Sequence, residues 1–179
     1  VPPLEEERLH HQEFAQRRAR DFTGQAGPLA EIERYLSPTS EPTAPLLVHG
    51  ASGSGKSALL AKTVADHQSR YAHHKLVFRF SGATATSTDP RSLVDGLCRE
   101  LGQLSRPDSP DLPLDVNKLT VVFRPRLELA TAEHPLALFV DALDQLQVAD
   151  RPELSWLPDK LPAHARLVVS AIPGPILDS

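Results

Sequence analysis

The chain has 179 residues, 40% hydrophobic and 23% charged, with a formal net charge of −4. That balance suits one ordinary globular domain able to bury about 70% of its unfolded surface, and excludes a disordered tail. The acidic balance argues against a general grip on nucleic acid, no apolar run is long enough to span a bilayer, and the single cysteine, Cys98, permits no internal disulfide and fits a reducing, cytoplasmic compartment.

Methionine is absent, so Val1 is not an initiator and the chain reads as a piece of a longer protein. Glu5 to Arg20 is predicted as a polar helix, with Glu5, Glu6 and Glu7 at its start and Arg17, Arg18 and Arg20 at its end. That charge order complements the helix dipole. Its apolar positions, Leu4, Leu9 and Phe14, are sparse, so weak packing is expected, and the Arg17-Arg18-Ala19-Arg20 run is read as a solvated helix end, with a targeting or phosphate-contacting patch as the alternative. Asp21 to Gln25 breaks this helix, and Pro28 to Leu36 begins another with Leu29, Ile32 and Leu36 on one face. A proline-rich loop, Ser37 to Pro45, leads to a short apolar strand, Pro45-Leu46-Leu47-Val48.

Immediately after that strand comes His49-Gly50-Ala51-Ser52-Gly53-Ser54-Gly55-Lys56-Ser57, followed by the helix formers Ala58 to Ala65. The pattern G-x-x-x-x-G-K-[ST], set between a strand and a helix, describes a phosphate-binding loop. Glycines let the backbone fold its N–H groups into one concavity, and the helix N-terminus adds partial positive charge beneath it. Residues Gly50 to Ala58 are therefore the candidate nucleotide cradle. Lys56 is placed to meet the β- and γ-phosphates, and the Ser57 hydroxyl to sit on Mg²⁺.

Further along, Lys75 to Phe80 reads as a second strand, ending in Ser81-Gly82. Thr88-Asp89-Pro90 starts a helix carrying Leu93, Leu97, Leu101 and Leu104, and Ser105 to Pro113 is a second proline-rich break. Another helix is predicted from Asp115 to Thr131, kinked at Pro125. Leu136 to Val140 is a continuous apolar strand of the kind buried on both faces, and Asp141 stands at its end. Pro152 to Leu161 is a loop or short helix bearing Trp156, and Arg166 to Ser170 is a fourth strand ending in a polar residue. Strands alternating with helices give a doubly wound parallel α/β sheet, with ligands at the strands' carboxyl ends.

Asp141 completes the chemistry of the glycine loop, because a strand-end acid of this kind holds the same Mg²⁺ that Ser57 reaches. Asp144, three residues on, is the candidate for orienting or deprotonating an attacking water, so Asp144 and Lys56 are the catalytic candidates. The histidine pairs His10-His11 and His73-His74 lack a Cys/Asp cluster and are not read as metal ligands. Cys98 and Trp156 are read as packing residues.

Together, Phe22-Thr23-Gly24-Gln25, Gly50 to Ser57 and Asp141 to Leu146 resemble the STAND class of P-loop NTPases, in its NACHT-like branch. The segments Leu76 to Gly82 and Leu154 to Pro158, with the helix from Ser92, also resemble NACHT modules found with WD or tetratricopeptide repeats. The resemblance spans about residues 20–175, giving a helical lead at 1–20 and a NTPase core at 21–179 that stops before the family's C-terminal helical parts. It implies a three-layer fold with sheet order 1-4-3-2 and the fifth strand outside this chain. It also implies adenine contacts from Phe22 and Thr23, and ATP, ADP and Mg²⁺ as cofactors. Partners are implied through flanking domains and self-oligomerisation, with no direct nucleic acid and no membrane segment.

Three positions depart from the family pattern. Gln25 stands where arginine is usual, Gln145 follows Asp144 where glutamate is usual, and Ser170-Ala171-Ile172-Pro173 carries no phosphate-sensing arginine. Fewer groups then stabilise transition-state charge, so nucleotide binding with slow hydrolysis is expected. The alternatives are a degenerate scaffold without turnover and a P-loop small-molecule kinase, the latter lacking a visible arginine-bearing lid.

Overall fold

A computed structural model describes residues 3–103, 112–113, 115–145 and 156–172. The described residues open with α1 (Pro3–Arg20), α2 (Ala26–Leu36), β1 (Leu46–His49), α3 (Lys56–Arg70), β2 (Lys75–Arg79) and α4 (Pro90–Gln103). Then follow α5 (Val116–Leu127), β3 (Leu136–Val140), a 3₁₀ turn at Leu143–Gln145 and β4 (Ala165–Ala171). Most of the expected break at Ser105–Pro113, together with Leu104, Leu146, Pro152, Leu154, Ser155 and Pro173, lies outside the described residues.

The four strands form one sheet in the order β1-β4-β3-β2, every pair parallel, as the P-loop resemblance implies. Strand alternation explains the layers. Leu136, Leu138 and Val140 of β3, with Leu167 and Val169 of β4, face a core completed by Leu93, Leu97 and Leu101 of α4, Phe123 of α5 and Trp156. Ala137, Phe139 and Val168 face the opposite way, onto Ile32 of α2 and Leu59, Leu60 and Val64 of α3. Both central strands are buried along their whole length, so β3 is apolar on both faces and β4 nearly so, with Arg166 and Ser170 as its polar residues. Cys98 and Trp156 are buried in the first core; burial pushes the Cys98 thiol up to about 11, and the Trp156 ring meets Phe123 edge-on.

Local capping follows the sequence. Asp89 accepts from the Ser92 N–H at 2.8 Å with Pro90 in the first turn, and Asp115 accepts from the Lys118 N–H at 3.1 Å. α5 ends at Leu127 rather than at Thr131, because the Glu128, Leu129 and Ala130 N–H groups bond to carbonyls three residues back and the ladder closes in tight turns.

α1 departs from the expected weak packing. His11 and Ala15 are buried, Phe14 and Ala19 pack on the α3-side core, and polar groups tie the helix to β2 and α4. Arg79, at the end of β2, donates to Glu7 of α1 at 3.0 Å and to Glu100 of α4 at 2.7 Å. Glu100 also pairs with Arg8 at 3.0 Å, and the His11 Nδ1 accepts from the Phe80 N–H at 3.0 Å. Gly96 makes room for this junction, since a Cβ there would lie 2.8 Å from a Glu7 carboxylate oxygen.

Candidate functional site

The loop between β1 and α3 reverses the chain through left-handed glycines, with φ of +76° at Gly53 and +86° at Gly55. Gly55 is also the N-cap of α3, and a Cβ on it would fall 2.3 Å from the Gln25 Nε2. Only glycine meets both demands at that position. Gln25, the residue found in place of the usual arginine, donates to the Ser54 carbonyl at 3.0 Å and so braces the loop from outside.

Lys56 Nζ donates to the carbonyls of Gly50 at 2.6 Å and Ala51 at 3.0 Å, which holds the ammonium within the loop. One residue later, the Ser57 hydroxyl donates to Asp141 at 2.6 Å and joins the two sequence motifs. The other Asp141 oxygen accepts from Ser170 of β4 at 2.6 Å, while the Ser170 Oγ accepts from the Ala142 N–H at 2.8 Å. Asp141 is buried, and its carboxyl is raised above the ordinary aspartate range. Desolvation is the main cause and outweighs the two hydroxyl bonds and the attraction of Lys56, which act in the opposite sense.

Ala142 follows with φ of +56°, a left-handed conformation that a side chain rarely adopts. A small residue limits the strain, and the turn carries Asp144 back toward β4, where it accepts from the Ile172 N–H at 2.8 Å.

These groups enclose a cavity of about 300 Å³ lined by Ser52 to Ala58, Asp141, Ala142, Asp144 and Ile172, with Arg18 and Asp21 from the end of α1 and the turn after it. The cavity thus gathers Ser52, Gly53, Ser54, Gly55, Lys56, Ser57, Ala58, Asp141 and Asp144 from the sequence-predicted set. Gly50 and Ala51 stand behind it through their carbonyls on Lys56, and Phe22 and Thr23 do not line it: Phe22 packs on the α3-side core and Thr23 is exposed. Sequence reasoning missed Ser170 and Asp21, and held Arg18 only within the lesser, phosphate-contacting reading of a basic helix end. A polar residue closing the apolar run Leu167 to Val169 was the available signal for Ser170; a basic helix end alone did not decide between solvent and phosphate for Arg18.

Residues 21–170 match the family model of the AAA ATPase domain. The chain belongs to that family. Mouse NACHT and WD repeat domain-containing protein 2 is 29% identical over 181 residues, spanning 96% of this chain and 10% of its own length. Human nephrocystin-3 is 35% identical over 132 residues, 72% of this chain and 10% of its own. Human NACHT domain- and WD repeat-containing protein 1 is 30% identical over 179 residues, with coverage of 96% and 11%. The chain therefore spans about a tenth of the length of the curated relatives it matches. It is a NACHT-like P-loop NTPase module of the kind found in repeat proteins.

The site of this AAA ATPase module fits a nucleotide with Mg²⁺ on its own geometry. A concave loop at a helix N-terminus with a lysine in its fold suits a phosphate chain. Two oxygen groups of opposite motifs, Ser57 and Asp141, meet at 2.6 Å, and hard oxygen donors of this type suit Mg²⁺. Among the described residues no helix is long and apolar enough to cross a membrane.

Proposed function

We propose that this module binds ATP or ADP with Mg²⁺ in a cytoplasmic setting and hydrolyses ATP slowly. It would act as a switch that governs the assembly or output of a larger protein through flanking domains and self-association. The observation that carries this reading is the Ser57–Asp141–Ser170 hydrogen-bond chain directly beneath the glycine loop.

In this reading the loop N–H groups and the α3 N-terminus receive the phosphate chain, and Lys56 exchanges its bonds to the Gly50 and Ala51 carbonyls for phosphate oxygens. Ser57 and Asp141 would hold the metal, which would screen charge on the phosphate oxygens. Asp144, fixed by the Ile172 N–H, orients water at the far end of the cavity. Because the Ser170–Ala171–Ile172 segment offers no arginine, transition-state charge is poorly met and turnover is slow.

The test is nucleotide recovered from denatured protein, read with phosphate release. Bound ADP with turnover below about one per second supports the switch, since family rates without an arginine contact are far lower than with one. Phosphate transfer to an added small acceptor favours a kinase, and no bound nucleotide at any concentration favours a scaffold. Lys56→Ala abolishes binding, and unchanged affinity removes the site assignment. Asp144→Asn slows hydrolysis about 100-fold while sparing affinity, within the usual range for a lost proton acceptor; an unaltered rate makes it a turn residue only.

A further inference from the structure

α1 brings a second cation to the phosphate cavity. Glu7, His11, Phe14 and Arg18 recur at intervals of four, three and four residues, the spacing of one helix face. The first three fix that face. Glu7 bonds to Arg79, His11 accepts from the Phe80 N–H, and the Phe14 ring lies 5.5 Å from that of Phe80. The fourth, Arg18, is carried by the same face to the glycine-loop cavity, which it lines together with Lys56, Asp141 and Asp144. Its guanidinium rests over the Phe14 ring at 5.2 Å, a contact that restrains the long stem while leaving the N–H groups free to bond. None of the ion pairs among the described residues involves Arg18. Around the cavity, three carboxylates, Asp21, Asp141 and Asp144, stand against Lys56 and Arg18 as the cations.

We infer that Arg18 is a phosphate-contacting residue of this module, acting in cis from the N-terminal helix. It supplies from α1 the guanidinium that β4 does not supply, and it makes α1 part of the nucleotide site. The ligand class is the phosphate chain of a nucleoside di- or triphosphate, so the inference rests on the nucleotide reading above. Charge-assisted bonds from a planar guanidinium to phosphate are strong, so losing them lowers affinity by about 10-fold to 100-fold.

The experiment measures Mg-ATP and ADP affinity of the full chain by calorimetry across a salt series. Arg18→Ala and Arg18→Gln both weaken binding and flatten its salt dependence, whereas the exposed neighbour variant Arg17→Ala does neither. Arg18→Gln keeps the stem over Phe14 without the charge, so it reads the charge even where Arg18→Ala perturbs α1. Arg18→Lys recovers part of the affinity. Loss for ATP alone places the contact at the terminal phosphate, and equal loss for ADP places it further in; either supports the inference. Arg18→Gln binding as tightly as Arg17→Ala, in a protein whose Lys56→Ala variant does not bind, overturns the Arg18 role alone. No binding by the unaltered chain overturns the nucleotide reading and this inference with it.

Discussion

Two buried carboxylates, Glu100 and Asp141, are handled in opposite ways. Glu100 is neutralised by guanidinium groups, Arg79 at 2.7 Å and Arg8 at 3.0 Å. Asp141 receives two serine hydroxyls, each at 2.6 Å, and burial pushes its carboxyl up. Neutral donors satisfy the lone pairs of a carboxylate but leave its charge in a poorly solvated place. The first cluster is complete and serves as a joint between α1, β2 and α4. The second lies against the glycine loop, where the proposed function gives it a charged ligand to hold.

The largest effect expected is at the joint. Arg79→Ala strands Glu100 and Glu7 without their shared partner, and removing one member of a buried pair costs about 3–5 kcal/mol. Urea denaturation reads the loss directly. A double variant, Arg79→Met with Glu100→Leu, recovers most of it because no buried charge remains. A cost below about 1 kcal/mol for Arg79→Ala would show the pair to be solvated and the contrast with Asp141 false.

The same joint contains an acid-sensitive group. His11 is buried beside Glu7, Arg79 and His10, and desolvation first, then the Arg79 charge, lowers its pKa to about 3. His67, buried against His74 at 3.0 Å with Tyr71 and His73 close by, is lowered to about 4, mainly by desolvation. Both are neutral in the folded chain and gain protons on unfolding, so stability falls as pH drops from the ordinary histidine value toward the folded ones. From pH 7 to pH 5 the loss is about 2 kcal/mol for each histidine. Denaturant midpoints at the two pH values measure it. His11→Asn, which keeps a carbonyl for the Phe80 N–H, removes about half; a flat profile would mean that neither ring is enclosed.

Much of this architecture is legible in the sequence because apolar runs and glycine chemistry are local signals. Leu136 to Val140 is apolar at every position since both faces are covered, and Gly50 to Ser57 specifies its own turn. The sheet order comes instead from the family resemblance that the phosphate loop and the Asp141 strand carry. What α1 does is not legible in this way. Its sequence is polar, and its attachment depends in part on Arg79 and Glu100, 72 and 93 residues beyond Glu7, which no periodicity connects. For the same reason Arg18 reads as a solvated helix end until the helix face is fixed by Glu7 and His11. Ser170 is hidden differently: it is one polar residue in a strand, and its role appears only when β4 is placed beside β3.

The smallest effect tests the other half of the comparison. Asp141 is an acid whose folded pKa is raised, so the folded chain holds its proton more tightly than the unfolded chain. Its contribution to stability therefore declines as pH rises from the ordinary aspartate value through the raised one, the opposite direction to His11 and His67. At neutral pH the ionised, enclosed carboxylate is a cost. Asp141→Asn removes the charge and keeps a group to which the rotatable hydroxyls of Ser57 and Ser170 can bond. In the absence of nucleotide it should stabilise the chain by on the order of 1 kcal/mol. It should also remove the part of nucleotide affinity that depends on Mg²⁺, since a neutral amide is a poor ligand for that ion. Denaturation without nucleotide and titration with and without Mg²⁺ separate the two effects. A variant less stable than the unaltered chain would mean that the two hydroxyl bonds outweigh the buried charge, and that Asp141, like Glu100, is a structural acid.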